Sequence, residues 1–258
     1  MPVSDLDLVV SAVREAGKLA LQHQARPINV TEKPDGAGPV TEADMAVDEL
    51  LKQRLLDSRP DHGWLSEETP DNTDRLGPSR TFIVDPIDGT RSFIAGSKDW
   101  AHSVAIVEDG RAVVGVVYLP ARDALYAAEA GQGATLNGDP LIIGDAPAIG
   151  CARVLTTKPS LAPEHWHGNA PPPFERHFRS SLAWRLCLVA EGAFDAMLTL
   201  RPAWEWDIAA GALIAAEAGA KVTDRAGAAL TFNKSWPQSD GVLVAQSGLH
   251  QQISERLV

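Results

Sequence analysis

The chain has 258 residues, 45% apolar and 22% charged, with a formal net charge of −11. That is an ordinary globular composition, long enough to bury a core in one large domain or two close-packed halves, with no stretch near the roughly 20 apolar residues of a membrane span. The acidic balance argues against a basic face for a nucleic acid polymer or an anionic membrane; the two cysteines, Cys151 and Cys187, make no CxxC pair, and residues 1–7 carry no basic, apolar leader, so the chain reads as cytoplasmic with free thiols.

The first predicted element is a helix capped by Ser4, with Asp7 at the capping-box position and a stripe of Leu6, Val9, Val10, Val13, Gly17 and Ala20. A second helix starts at Thr41, with Asp44 three residues on, and carries Leu50, Leu51, Leu55 and Leu56. Strands are expected at 62–66, 81–85, 103–107, 112–119 and 124–128, and Glu108-Asp109-Gly110 signals a hairpin within a mainly antiparallel sheet.

The Pro-rich patch Ala170-Pro171-Pro172-Pro173 lies in a polar stretch, 159–176, expected to run over the surface near the junction of two halves. Beyond residue 150 strands and helices alternate: a strand at 152–156, a helix at 181–191, a strand at 194–200 and a helix at 208–218. Gly192 and Gly219 follow the two helices, where a left-handed residue ends a helix cheaply. Strands at 220–223 and 241–245 and a short helix close the chain. The division expected is an α+β half over 1–150 and an α/β half over 151–258, forming one catalytic unit of layered α/β class.

Three segments concentrate the chemistry: Ser66-Glu67-Glu68-Thr69, Asp85-Pro86-Ile87-Asp88-Gly89-Thr90, and Glu205-Trp206-Asp207. Thr81 to Val84 is a buried-strand pattern that delivers Asp85 at its end; Pro86 stops the ladder, and a turn can fold Asp88 toward the same point. Gly89 lets a backbone amide approach a ligand, and Thr90 can begin a helix whose free N–H groups suit an anion. Two carboxylates beside such a nest suit Mg²⁺, which keeps waters and substrate phosphate oxygens in its shell. The same residues have simpler uses: Asp-Pro and Asp-Gly make turns, Asp207 is the expected N-cap of the helix at 208, Asp44 can serve Thr41 alone, and Glu67 can sit in an exposed turn.

Together the segments resemble the inositol monophosphatase superfamily of lithium-sensitive, Mg²⁺-dependent phosphatases. The resemblance runs nearly the whole chain, through Val40-Thr41-Glu42-Ala43-Asp44, Ser66-Glu67-Glu68, Asp85 to Thr90 with Ser92-Phe93, and Trp206-Asp207 with Ala209-Ala210-Gly211. It implies an αβαβα sandwich with two or three Mg²⁺ ions at the meeting of its halves. It implies that Glu67, Asp85 and the Ile87 carbonyl hold one ion, and that Asp85, Asp88 and Asp207 hold a second. It assigns Gly89 and Thr90 to phosphate, and activation of a water to Glu67 or to Thr90 oriented by Asp44. The partner is then a small phosphate ester, and a homodimer is compatible.

Glu205-Trp206-Asp207 and the segment 186–192 resemble the 3′(2′),5′-bisphosphate nucleotidases, with Arg185 where they often place Lys. On that likeness Arg185 and Glu205 join Asp88, Gly89, Thr90 and Asp207 as substrate-binding candidates, and phosphoadenosine phosphate is the expected substrate. Inositol monophosphatase or histidinol phosphatase is the alternative, and a non-catalytic metal- or metabolite-binding module is the alternative of another class. Arg185 could instead be a surface helix residue. Trp204 and Trp206 could wall a base or simply pack, Trp64 and Trp184 read as core, and His165, His167 and His177 as loop residues.

Overall fold

A computed structural model describes residues 3–33, 36 and 38–258; Met1 and Pro2, part of the N-terminal reading above, lie outside them. The first half runs α1 (Asp5–Gln24), β1 (Val30–Glu32), β2 (Pro39–Thr41), α2 (Glu42–Ser58), β3 (Gly63–Ser66), β4 (Arg80–Asp88), α3 (Thr90–Ile94), β5 (Ala101–Glu108) and β6 (Arg111–Leu119). It continues through β7 (Ala124–Glu129), β8 (Ala134–Leu136) and β9 (Asp139–Leu141). After these come β10 (Arg153–Leu155), β11 (Glu175–His177), α4 (Leu182–Ala190), β12 (Ala196–Thr199), β13 (Ala203–Trp204) and α5 (Glu205–Glu217). The chain closes with β14 (Lys221–Thr223), β15 (Gln238–Ser239), β16 (Val242–Ala245) and α6 (Ser247–Ser254).

The caps follow the sequence. Ser4 accepts the Asp7 amide at 3.0 Å, and Thr41 with Asp44 forms a full capping box. The hairpin turn also holds: Asp109 and Gly110 take φ of 48° and 76°, which brings Glu108 opposite Arg111.

A seven-stranded sheet, ordered β3-β4-β5-β6-β7-β8-β9, is antiparallel except for the parallel β3–β4 pair. The short strands β8 and β9 extend it beyond the sequence expectation, because three-residue runs carry too little alternation to announce themselves. Period-2 alternation splits its faces. Phe82, Val84, Val104, Ile106 and Val116 pack under α1 and α2, while Ile83, Ala105, Val107, Val117 and Tyr126 face α4 and α5. A second sheet, β11-β10-β12-β16-β14, covers the far side of those helices through Leu155, Met197, Val242 and Val244. Its outer face, with Val154, Leu198 and Leu243, lies under Leu249 and Ile253 of α6. The layers are therefore helix, sheet, helix, sheet, helix, the expected sandwich.

The polar stretch 159–176 does not lie at the junction of the halves. It connects β10 to β11, which pair in parallel, so the chain must cross over within the second sheet, and Pro172 is buried on the way. Trp184 is core as expected. Trp64 is only half-buried and donates its indole N–H to Thr69 Oγ1 at 3.2 Å. Among the described residues no helix is long and apolar enough to cross a membrane.

The contact between α4 and α5 sets where the two sheets meet. A Cβ at Gly211 would stand 2.8 Å from Leu186 Cβ and 3.0 Å from the Ala183 carbonyl. Helix propensity alone favours Ala there by about 1 kcal/mol, but backbone cannot yield cheaply. Gly211→Ala is expected to destabilise the fold by about 1–3 kcal/mol in urea denaturation; unchanged or raised stability would show that α4 gives way freely.

Candidate functional site

The β4 ladder carries the first two carboxylates. Asp85 pairs with Ser103 and Asp88 with Ala101, so three steps on β4 oppose two on β5. That bulge at Pro86, which has no N–H to pair, turns both aspartates to one side. Asp207 enters from the first turn of α5. One oxygen from each of Asp85, Asp88 and Asp207 lies within 4.8 Å of the others.

Each carboxylate is held differently. Asp88 Oδ2 accepts the Ser181 hydroxyl at 2.7 Å and the Ala183 amide at 2.6 Å, so it binds the N-terminus of α4, where free N–H groups favour an anion. Asp85 is 1% exposed, and its Oδ1 has no hydrogen-bond partner among the described residues. Burial pushes the Asp85 carboxyl well above its ordinary value, and the charges of Glu67, Asp88 and Asp207 push it further. Asp207 is raised by burial and then by the Asp88 and Glu67 charges. Burial also raises Asp88, opposed by its bonds to Ser181 and Ala183. An oxygen-only donor set, a buried oxygen without a partner and mutually repelling carboxylates fit a hard divalent cation.

Glu67 follows Ser66, which pairs with Val84, and its amide donates to the Val84 carbonyl at 3.2 Å; it therefore flanks Asp85 across the parallel pair. Its carboxylate is not among the three that converge: it accepts Lys33 Nζ at 2.7 Å, as Glu68 does at 2.6 Å. Burial pushes the Glu68 carboxyl up to about 7, while Lys33 pulls it down. The Ile87 carbonyl accepts from Thr90 Oγ1 at 3.1 Å, and Asp44 Oδ1 lies at the same distance from that hydroxyl. Asp44 is 1% exposed and spends its other oxygen on the amide and hydroxyl of Thr41. Gly89 takes φ +102° as N-cap of α3, and a Cβ there would meet the Asp99 carbonyl at 3.1 Å. The next residue, Thr90, opens a helical turn whose first N–H groups have no intrahelical acceptor.

Three expected placements are corrected. Asp207 is not an N-cap: α5 begins at Glu205, which leaves Asp207 at the third helical position and its carboxylate free of capping. Glu205 does not face the carboxylate cluster. It is fully buried and accepts the Asn233 amide at 2.6 Å and the Lys234 amide at 3.3 Å, so it ties down the 233–238 loop from inside. Burial pushes its carboxyl up to about 7. Nor is Arg185 a surface residue with a free cation. It is 5% exposed, donates to the carbonyls of Arg179 and Ser180 at 2.5 and 3.0 Å, and lies 4.7 Å over the Phe178 ring. Its donors shape the loop that carries Ser181 to Asp88.

Two supports were not singled out from the sequence. Asp48 accepts the Ser66 hydroxyl at 2.5 Å and the Thr69 hydroxyl at 2.6 Å, which clamps the loop bearing Glu67. Its signal was available, since Asp48 stands one helical turn beyond Asp44 on the same face of α2. Ser181 was seen only as a helix start; its pairing with Asp88 spans 93 positions and leaves no local trace.

Beside the carboxylates opens a cleft of about 370 Å³, lined by Ser66 to Asp71, Trp204, Trp206, Trp236 and Pro237. Trp204 and Trp206 stack at 4.7 Å with planes 10° apart, and Trp236 closes on Trp204 at 5.5 Å. Glu67 and Trp206, the neighbour of Asp207, connect this cleft to the three aspartates.

A family model described as "Inositol monophosphatase family" matches residues 4–258. The inositol-1-monophosphatase of Rhizobium meliloti (strain 1021) is 35% identical over 237 residues, 86% of either chain. The histidinol-phosphatase of Mycobacterium tuberculosis (strain ATCC 25618 / H37Rv) is 33% identical over 273 residues, covering 100% of this chain and 99% of its own. The 3'(2'),5'-bisphosphate nucleotidase CysQ of Escherichia coli O157:H7 is 32% identical, covering 88% of this chain and 93% of its own. An IMPase structure from Thermotoga maritima superposes with a TM-score of 0.82 at 27% identity, covering 97% of this chain and 95% of that one.

The raised aspartates set a pH dependence. Their folded values lie above the ordinary 3.8, so their contribution to stability is full below that value and is lost as pH rises through the folded values. The metal-free protein is therefore expected to melt at lower temperature as pH goes from about 5 to about 8. Added Mg²⁺ should reverse the loss, with proton release on binding and tighter binding at the higher pH. Calorimetry in buffers of different ionisation enthalpy checks this; Mg²⁺ affinity that is flat with pH would contradict it.

Proposed function

The chain belongs to the inositol monophosphatase family and is a phosphatase, and from that premise we propose that it is a Mg²⁺-dependent phosphomonoesterase working at Asp85, Asp88 and Asp207. The observation that carries this reading is the convergence of three carboxylates, Asp85 and Asp88 buried and Asp207 half-buried, with one oxygen of each within 4.8 Å of the others, where Asp85 Oδ1 is buried with no partner among the described residues. Such an arrangement is costly without a cation and suited to one.

In this proposal Asp85, Asp88 and Asp207 hold the ions, with Glu67 and the Ile87 carbonyl completing the shell toward Thr90. Bound Mg²⁺ supplies an activated water and neutralises charge on the phosphoryl oxygens. The backbone N–H groups of Gly89 and Thr90 orient the phosphate. Thr90 Oγ1, within 3.1 Å of both Asp44 Oδ1 and the Ile87 carbonyl, is placed to pass a proton from water toward the buried Asp44 carboxylate. Glu67 is the second candidate base, once Lys33 releases it. No side chain is assigned as a nucleophile: the water oxygen would bond to phosphorus as the ester P–O bond breaks in line, giving inorganic phosphate and an alcohol that takes up a proton as it leaves.

For the leaving group we retain a 3′(2′),5′-bisphosphate nucleotide as the preferred reading. It is supported by the tryptophan cleft, whose stacked faces suit a flat base, and by the resemblance to bisphosphate nucleotidases. The charge of the cleft favours a second reading. Its lining carries Glu67, Glu68 and Asp71, and among the described residues no arginine or lysine lines it; Lys33 pairs with Glu67 and Glu68 from beside it, and the charge that remains suits an aromatic amine such as histidinol phosphate better than a second phosphate.

Phosphate release from phosphoadenosine phosphate, histidinol phosphate and inositol 1-phosphate ranks the readings: the nucleotide is expected first by kcat/KM, and a lead for histidinol phosphate would transfer the cleft to the amine. Asp207→Asn should lower turnover on every ester by on the order of 10³-fold, because several kcal/mol of charge stabilisation is lost. Near-normal turnover in that variant at saturating Mg²⁺ would remove Asp207 from the site. Thr90→Val should lower kcat while leaving Mg²⁺ affinity within about threefold, since it deletes a proton path and no ligand. A parallel fall in Mg²⁺ affinity would instead make Thr90 part of the metal shell.

A further inference from the structure

The peptide between Asp85 and Asp88 is held from behind by a residue with no place in the chemistry above. His102, on β5, is fully buried, and its Nδ1 meets the Pro86 carbonyl. A carbonyl only accepts, so the ring proton sits on Nδ1 and Nε2 is left as a bare acceptor. Nε2 is buried with no partner among the described residues. The ring is wedged between Trp100, edge-on at 5.6 Å, and Tyr118 at 6.5 Å, which fixes its plane.

The cost of that arrangement marks it. An apolar side chain would fill the same aromatic slot without stranding a nitrogen, and the β5 positions on either side of His102 follow the ordinary packing pattern of the sheet. What imidazole adds is one N–H aimed at one carbonyl. Pro86 has no N–H of its own, and the bulge removes its peptide from the regular ladder, so this carbonyl needs a donor from elsewhere. β5 and the residues just before it close on the loop at two more points: Ala101 pairs with Asp88, and a Cβ at Gly89 would stand only 3.1 Å from the Asp99 carbonyl.

We infer that His102 is a positioning residue for the carboxylate cluster: its Nδ1–H pins the Pro86 carbonyl and thereby sets the spacing of Asp85 and Asp88. This rests on the reading of those aspartates as metal ligands. His102→Phe keeps a flat ring in the slot and deletes the donor, whereas His102→Asn returns an N–H at the reach of Nδ1, two bonds from Cβ. Calorimetric Mn²⁺ titration of the full chain is expected to show about a tenfold or larger loss of affinity for the Phe variant, recovered to within about threefold by Asn. The concentration of Mg²⁺ needed for half-maximal turnover should rise with it, and KM for the ester should move little.

A Phe variant that binds Mn²⁺ like the unaltered protein, or an Asn variant as weak as Phe, overturns the assignment. Should the Phe variant fail to fold, the ring itself reports: ¹⁵N–¹H spectra of the unaltered protein should show His102 as the Nδ1–H tautomer between about pH 6 and about pH 8, and an Nε2–H tautomer would overturn the assignment. If the unaltered protein binds no Mn²⁺ at all, the metal reading fails and this inference falls with it; if it binds and only the His102 variants are indifferent, the inference alone fails.

Discussion

Three carboxylates drawn into one half-dry point repel each other, and the rest of the structure is arranged to keep them there. Asp85, Asp88 and Asp207 lie within 4.8 Å on elements that are up to 122 residues apart in the chain, counting from Asp85 to Asp207. Burial and mutual repulsion push their carboxyls upward, so without a cation the protein would relax by holding protons or by opening. In the proposed reading, divalent cations would turn that liability into a binding site. The same ions would reverse the local field of a chain whose net charge is −11, which otherwise repels a phosphate ester.

The scaffold answers with rigid elements on all sides. β4 is sandwiched in the seven-stranded sheet, and its bulge is the one irregularity that frees Asp88 to turn. The N-terminus of α4 receives Asp88, with Arg185 gathering the loop before it. Asp207 arrives on the first turn of α5, whose close contact with α4 at Gly211 locks the two helices. On the outer side, α2 presents two carboxylates a turn apart: Asp44 toward Thr90 and Asp48 toward the loop of Glu67. Buried acids thus serve two ends, some converging on the proposed metal position and others holding the loops that frame it.

Much of this was legible in the sequence because local chemistry dictates it. The β-branched run before Asp-Pro-Ile-Asp-Gly-Thr marks a buried strand that delivers acids, and the capping box at Thr41 and Asp44 reads directly from spacing; Pro86, expected to stop the ladder at Asp85, instead makes a bulge, and β4 runs on to pair Asp88 with Ala101. What failed depended on helix phase and distant partners. Glu205 and Asp207 are neighbours in sequence, yet once α5 starts at Glu205 they sit about 200° apart around its axis, so one enters the interior and the other the site. Arg185 looked like a free cation because the carbonyls that take its donors become available only when the 179–181 loop folds back. The tryptophan cleft was half-visible: Trp204 and Trp206 flank Glu205 in the sequence, but Trp236 joins them only through the loop anchored by Glu205.

The central claim is that the three aspartates share divalent cations, and anomalous diffraction from crystals soaked in Mn²⁺ tests it most directly. A peak within coordination distance of carboxylate oxygens from Asp85, Asp88 and Asp207 is the predicted result, at roughly 2.1–2.2 Å for such oxygen ligands. A map with no peak there, or with Mn²⁺ bound only at surface acids, would contradict it.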